Sequence, residues 1–122
     1  TKSKGDKLAK FSSEIGLNSV SKSIEDMNRF DSKFDIVVNA SSLGLKDEKN
    51  IIPSRLLDEQ TTVYDIVYKP LKTDLINKAK EKNCRIIFGY EMLLGQAIRS
   101  FEIWLDKQAP YEAMKRSILG GF

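Results

Sequence analysis

Short runs rich in β-branched residues recur along the chain and alternate with stretches of helical periodicity. Three of these runs are predicted to be strands, at residues 34–39, 61–67 and 84–88. Alternation of strands with helices is typical of βαβ crossovers, which place successive strands side by side and parallel. We therefore predict an α/β fold with a Rossmann-like, mostly parallel sheet and flanking helices. The run at 34–39 is almost continuously apolar, which indicates a strand covered on both faces.

The amino-terminal part of the chain has one clear helical pattern and several weaker elements. Leu8, Phe11 and Ile15 form an amphipathic stripe over 4–15, and Gly16 stands where a helix stop is expected. Four further elements are predicted: a short edge strand at 18–20, a brief helix through 24–30 capped by Ser21 or Ser23, a charged surface loop at 46–50, and a helical turn from Pro53 to about Leu57.

The helices of the carboxyl-terminal part follow the second and third predicted strands. Thr73 is predicted to cap a helix whose inward face carries Leu75, Ile76 and Ala79. A longer helix is predicted over 91–105 and a last one over 110–119. The longer helix has one stripe of apolar residues and a flank with one polar residue. The stripe consists of Leu93, Ala97, Phe101 and Trp104, and the flank of Met92 and Gln96.

The glycines limit how much of a dinucleotide-binding fold this chain can contain. There are seven, at positions 5, 16, 44, 89, 95, 120 and 121, and none forms the G-x-G-x-x-G turn that opens such a fold. With 122 residues, the chain is about one small domain long. The pattern therefore predicts the second half of a nucleotide-binding sheet, without room for a second full domain.

Composition excludes several classes of function. A net charge of +3, with both signs interspersed, disfavours nucleic acid as a partner. The chain has no histidine, which excludes Ser-His catalysis and histidine-ligated zinc, so no metal site is predicted. No run approaches the roughly 20 apolar residues of a membrane span. Cys84, the one cysteine, is interpreted as a small buried hydrophobe. We expect a soluble, cytoplasmic protein without a membrane partner.

Three motifs occur in a fixed order over most of the chain. They are 35–45 (DIVVNASSLGL), 63–73 (VYDIVYKPLKT) and 89–97 (GYEMLLGQA), the last continuing to 101–104 (FEIW). In this order they resemble the shikimate dehydrogenase family, and Thr1, Lys4, Leu8 and Ala9 resemble the end of a further family segment. The chain departs from the family pattern at Leu45, Asp74 and Gly95, which bears on the preference for shikimate or quinate.

The resemblance implies the carboxyl-terminal, NADP-binding part of such an enzyme. Residues 1–105 would be the carboxyl-terminal portion of the Rossmann domain, and 106–122 a helix packing back toward an amino-terminal substrate domain. The catalytic lysine and aspartate of the family would lie in that domain, so no catalytic residue is assigned in this chain. The implied partner is a small molecule, shikimate or 3-dehydroshikimate, and a homodimer is compatible with this assignment.

Site residues are also implied by the resemblance. Tyr68 and Gln96 would bind substrate. The cofactor NADP would be bound by Thr1, Lys4, Asn39, Ala40, Ser41, Ser42, Gly44, Val67, Gly89 and Met92. Lys2 and Lys4 would give the basic surroundings that favour NADP over NAD.

Each of these roles has a purely structural alternative. The loop 39–44 follows a strand, where open α/β sheets bind ligands, but without the other motifs its sequence favours an ordinary strand-to-helix turn. Tyr68 and Met92 could be core side chains, Gln96 an exposed surface residue, and the amino-terminal lysines a solvated charge run. Two other functions stay open: a quinate or shikimate dehydrogenase that prefers NAD, and a non-catalytic nucleotide-binding regulatory module on the same fold.

Overall fold

A computed structural model describes residues 2–46, 49 and 51–120 of the chain. It contains four α-helices, two short 3-10 helices and three strands. The helices are α1 (Lys2–Glu14), α2 (Asp74–Glu81), α3 (Gly89–Leu105) and α4 (Tyr111–Gly120), and the 3-10 helices span Glu25–Arg29 and Ser54–Leu56. The strands are β1 (Ile36–Asn39), β2 (Thr62–Asp65) and β3 (Arg85–Phe88).

The three strands form one parallel sheet in the order β1-β2-β3. All three predicted strands are present, each shorter than its sequence run. The register aligns Asn39 with Asp65 and Asp65 with Phe88, so the three strands end at the same level. The predicted α/β fold with a parallel sheet is therefore confirmed, and the loops that follow the strands all start from one edge.

The core lies on one face of the sheet. Val37 and Val63 pack there with Leu57 and with Leu75 and Ala79 of α2. The other face of β1 is open, since Ile36 is 64% and Val38 52% exposed. The prediction that β1 is covered on both faces is wrong within the described residues, because α2 packs on one side of the sheet only.

The amino-terminal segment differs from its prediction in two ways. Helix α1 ends at Glu14 and is followed, as expected, by Gly16 with a φ of +83°, but its apolar stripe of Leu8, Phe11 and Ile15 is exposed. Residues 18–20 are not a strand. The Ser19 hydroxyl donates to the carbonyl of Ala9 instead (3.1 Å), which ties this segment to α1 rather than to the sheet.

The two predicted short helical elements exist as 3-10 turns. The one at 25–29 lacks the predicted serine cap, because the Ser23 hydroxyl donates to the carboxylate of Asp26 (2.9 Å) and caps no backbone N–H. The turn at 54–56 follows Pro53 as predicted. The predicted loop 46–50 lies largely outside the described residues.

The three carboxyl-terminal helices are present, and the predicted inward face of α2 is buried at Leu75, Ile76 and Ala79. In α3 the most buried side chain is Leu94, whereas Trp104, expected on the inward stripe, is 80% exposed. The other residues of that stripe, Leu93, Ala97 and Phe101, are only half-buried, and α3 contacts β3 and α4. Among the described residues, no helix combines the length and apolar character that crossing a membrane requires.

Candidate functional site at the carboxyl ends of the strands

The candidate site is the edge of the sheet where β1, β2 and β3 end. Two loops leave this edge, at 40–44 after β1 and at 66–73 after β2, and α3 begins there directly after β3. Because parallel strands direct their carboxyl ends to one edge, these loops are neighbours in space although they are distant in sequence.

Asn39 shapes the first loop through its side chain. Its amide nitrogen donates to the carbonyl of Leu43 and to Oδ1 of Asp65, both at 2.9 Å. Its amide oxygen accepts from the backbone N–H (3.2 Å) and the hydroxyl (2.6 Å) of Ser41. An amide has two donors and two acceptor positions, and all are used within the protein. Asn39 would therefore contribute to a ligand site by fixing the shape of this loop.

A buried carboxylate joins the second loop to the first. Asp65, with 0% exposure, accepts from Asn39 and, at 3.1 Å, from the backbone N–H of Val67. Its other oxygen accepts from the Thr73 hydroxyl at 2.6 Å. Thr73 also caps α2 as predicted, because its Oγ1 accepts from the N–H of Ile76 at 3.2 Å. Sequence reasoning missed Asp65, although an acidic residue inside the apolar run 63–67 was a usable signal.

Two glycines allow the loops to approach one another closely. A Cβ at Gly44, whose φ is +101°, would lie 3.0 Å from Cγ2 of Thr73. A Cβ at Gly89 would lie 2.6 Å from the carbonyl carbon of Ile66 and 2.8 Å from that of Val67. The loop after β1 thus packs on the cap of α2, and the start of α3 packs on the backbone after β2. The sites predicted at Gly44, Val67 and Gly89 belong to this one edge.

The remaining predicted residues differ in their exposure. Tyr68 is 43% and Met92 41% exposed, so neither is a fully buried core side chain. Val67 is buried, and its N–H is taken by Asp65. Gln96 is exposed and lines a groove between α3 and α4 together with residues that do not include Tyr68. That Tyr68 and Gln96 both bind the substrate stays a prediction.

The amino-terminal residues expected near a phosphate lie at the start of α1. Lys4 is exposed on this helix, and Thr1 lies outside the described residues. Lys2 is paired with Asp6 at 3.0 Å, and this hydrogen bond is the main reason that the pKa of Asp6 is lowered from its ordinary value. Lys4, rather than the paired Lys2, is therefore the better candidate for an anionic ligand group.

Part of the loop after β1 is exposed at this edge. Ala40, Ser41 and Ser42 are exposed, with side chains short enough for a ligand to approach the backbone. The Ser41 hydroxyl is already engaged with Asn39, so Ser42 is the more available hydroxyl of the two. A role of this loop in binding the cofactor stays a prediction.

The parallel sheet, with the segments that follow its strands gathered at one edge, defines the class: a Rossmann-like α/β domain, represented by three of its strands. The comparisons agree with this class. The family model described as "Shikimate 5'-dehydrogenase C-terminal domain" matches residues 89–119.

The shikimate dehydrogenase (NADP(+)) of Nitrosopumilus maritimus is 50% identical over 119 residues, which is 98% of this chain and 44% of that protein. The crystal structure of shikimate dehydrogenase from Aquifex aeolicus superposes with a TM-score of 0.74 at 36% identity, covering 97% of this chain and 41% of that one. A shikimate 5-dehydrogenase from Listeria monocytogenes, in complex with shikimate and NAD, has a TM-score of 0.64 at 31% identity over 78% of this chain and 32% of its own.

The chain belongs to the shikimate dehydrogenase family and corresponds to its carboxyl-terminal part. It spans less than half the length of the curated relatives it matches.

Proposed function

We propose that the protein containing this chain is an NADP-dependent shikimate dehydrogenase, which interconverts 3-dehydroshikimate and shikimate in chorismate and aromatic amino-acid biosynthesis. The observation that carries the proposal is the 50% identity to a shikimate dehydrogenase (NADP(+)) over 98% of the chain. Residues 1–105 would form the carboxyl-terminal portion of the NADP-binding domain. Residues 106–122 would pack toward an amino-terminal substrate domain that carries the catalytic lysine and aspartate.

The chain's own residues would bind and orient. The loop 39–44 and the backbone at Val67 and Gly89 would form the floor under the nicotinamide, and Met92 would cover one face of the ring. Tyr68 and Gln96 would hold the substrate, the phenol by donating to a carboxylate or hydroxyl and the amide by pairing with ring hydroxyls. When bound, NADPH supplies the hydride that reduces the ketone of 3-dehydroshikimate. Lys4, with Thr1, would contact the 2′-phosphate.

The test is a set of kinetic measurements on the complete gene product. We expect it to oxidise shikimate with NADP, and we expect the isolated chain 1–122 to have no activity because it lacks the substrate domain. Tyr68→Phe and Gln96→Ala should each raise KM for shikimate and leave KM for NADP within about twofold. Loss of a contact to one ligand weakens the binding of that ligand only. Gln60→Ala, an exposed amide at the other end of β2, is the matched control and should change neither constant.

Absence of shikimate oxidation by the complete protein would contradict the proposal. Strong activity from the isolated chain would contradict the assignment of the catalytic pair to another domain.

A preference for NAD is the second candidate, supported by the Listeria relative solved with shikimate and NAD. The proposal of NADP depends on Lys4, because a lysine at the ribose end would bind the 2′-phosphate that NAD lacks. Lys4→Gln should therefore lower kcat/KM for NADP by about tenfold, equal to the loss of about 1.4 kcal/mol of transition-state binding, and leave NAD nearly unchanged. Lys10→Gln, also exposed on α1, is the control. A kcat/KM that is higher with NAD than with NADP in the unmodified protein would favour the second candidate.

Location and assembly are part of the same proposal. A pathway enzyme that uses NADPH would act in the cytoplasm, where the unpaired Cys84 would stay reduced. Light scattering of the complete protein tests whether it forms a homodimer. A measured mass near that of one complete polypeptide would refute the dimer.

A further inference from the structure

We infer that Asp65 is a positioning residue for the proposed site, holding the two loops that carry the predicted cofactor and substrate contacts at a fixed separation. The inference rests on the proposed function for its kinetic consequence, but its structural part can be tested independently. Asp65 itself is buried and would touch neither ligand.

The contacts of Asp65 reach three separate segments. Oδ1 accepts from Asn39 Nδ2 at 2.9 Å and from the Val67 N–H at 3.1 Å, and Oδ2 accepts from Thr73 Oγ1 at 2.6 Å. One carboxylate therefore links the end of β1, the backbone after β2 and the cap of α2. Buried hydrogen bonds to a charged acceptor are stronger than neutral ones, which makes this link stiff.

The geometry of both loops depends on these hydrogen bonds of Asp65. Oδ1 of Asp65 orients the side-chain amide of Asn39. The same amide closes the first loop through its hydrogen bonds with Leu43 and Ser41. In the second loop the bond to Val67 fixes the Ile66–Val67 peptide, one residue before Tyr68. A shift of Asp65 would thus move the floor of the cofactor site and the phenol together.

Burial without an ion pair indicates a specific role for this carboxylate. No lysine or arginine lies within salt-bridge distance of Asp65 among the described ion pairs, so its desolvation is offset by hydrogen-bond donors. A threonine or an apolar residue would fill the position in β2 at lower cost, but could not accept from Asn39, Val67 and Thr73 at the same time. A residue that positions the two loops has to accept hydrogen bonds from all three segments at the same time, as Asp65 does.

The test compares variants in the complete protein. Asp65→Asn keeps the shape but replaces one acceptor oxygen by a donor group, and Thr73→Val removes the hydroxyl that donates to Oδ2. Thr73→Ser is the conservative variant that restores this hydroxyl. Thr61→Val is the matched control, because Thr61 is equally buried in the segment before β2, and its hydroxyl donates to Asp58 at the opposite end of the strand.

Two readouts separate positioning from stability. If Asp65 positions the loops, Asp65→Asn and Thr73→Val lower kcat/KM for shikimate by about ten- to a hundredfold, the range expected for displaced binding groups. Thr73→Ser and Thr61→Val then stay within about twofold, although Thr61→Val lowers Tm. Backbone amide exchange in 40–46 and 66–72 speeds up in Asp65→Asn and not in Thr61→Val.

Equal kinetic losses in Asp65→Asn and Thr61→Val, or unchanged exchange in both loops, would overturn the inference. If the unmodified protein does not oxidise shikimate, the proposed function fails, while the exchange measurement still decides whether Asp65 holds the loops.

Discussion

Gly89 and Ile66 are in backbone contact, so that a Cβ at position 89 would lie 2.6 Å from the carbonyl carbon of Ile66. The first residue of α3 therefore rests directly on the chain that leaves β2. This contact brings the helix that carries Met92 and Gln96 to the edge of the sheet that carries Tyr68. Any side chain at position 89 would push these two parts of the candidate site apart.

Gly89→Ala should destabilise the complete protein by about 1–3 kcal/mol or more, because the obstructing atoms belong to backbone and cannot rotate away. The measurement is the free energy of unfolding by denaturant titration. Gly95→Ala is the control within the same helix, since a Cβ there meets nothing within 4 Å. It should be neutral or stabilise by up to about 1 kcal/mol, as expected for alanine replacing glycine inside a helix. Equal losses for both variants would argue against the contact.

Arg55 should stabilise the segment between α1 and β1. Its Nη2 donates to three carbonyls at the end of the 25–29 turn, those of Met27 (3.3 Å), Asn28 (2.8 Å) and Phe30 (3.1 Å). We expect Arg55→Gln to cost about 1 kcal/mol and to speed amide exchange in 25–30. Arg29→Gln is the control: the Arg29 side chain is 84% exposed and pairs with Asp26 at 3.5 Å, so no measurable change is expected. Similar effects of both variants would contradict the role of Arg55.

Cys84 should react slowly with thiol reagents in the folded protein. Burial raises the pKa of its thiol above the ordinary 9.0, and the nearby negative charge of Asp58 adds to the increase. Since the thiolate is the reactive form, alkylation at pH 8 should be about tenfold or more slower than in denaturant. Mass spectrometry of the peptide containing Cys84 follows the reaction. Equal rates in the folded and denatured protein would show that the thiol is accessible.

The ion pair between Lys33 and Asp58, at 2.8 Å, should produce a pH dependence at acidic pH. The hydrogen bond from Lys33 is the main cause that lowers the pKa of Asp58 below its ordinary 3.8. A carboxyl with a lowered folded-state pKa stabilises the fold above its unfolded pKa, and this contribution is lost as the pH falls through the folded value. Lys33→Met should therefore make Tm fall less steeply between pH 5 and pH 2 (about the range in which such carboxyls titrate). An unchanged profile would argue against the pair.

The β-branched runs, the helix periodicity and the capping threonine predicted the main elements of the fold, and these predictions were confirmed. Short-range physics suffices here, because β-branching, the spacing of apolar residues and the Thr73 cap act within a few residues. The candidate site could be placed at loop 39–44 for the same reason, since it directly follows a recognisable strand. The errors arose where a neighbour decides the outcome, as at residues 18–20, which pack on α1 instead of joining the sheet.

The sequence by itself determined which segments become strands and helices and which family motifs they carry. Only the tertiary structure decided that Asn39, Asp65 and Thr73 share one buried hydrogen-bond network, and that Gly89 rests on Ile66. The physical reason is that propensity and periodicity are local properties, whereas hydrogen bonds across 26 residues depend on strand register and on which face of the sheet α2 covers.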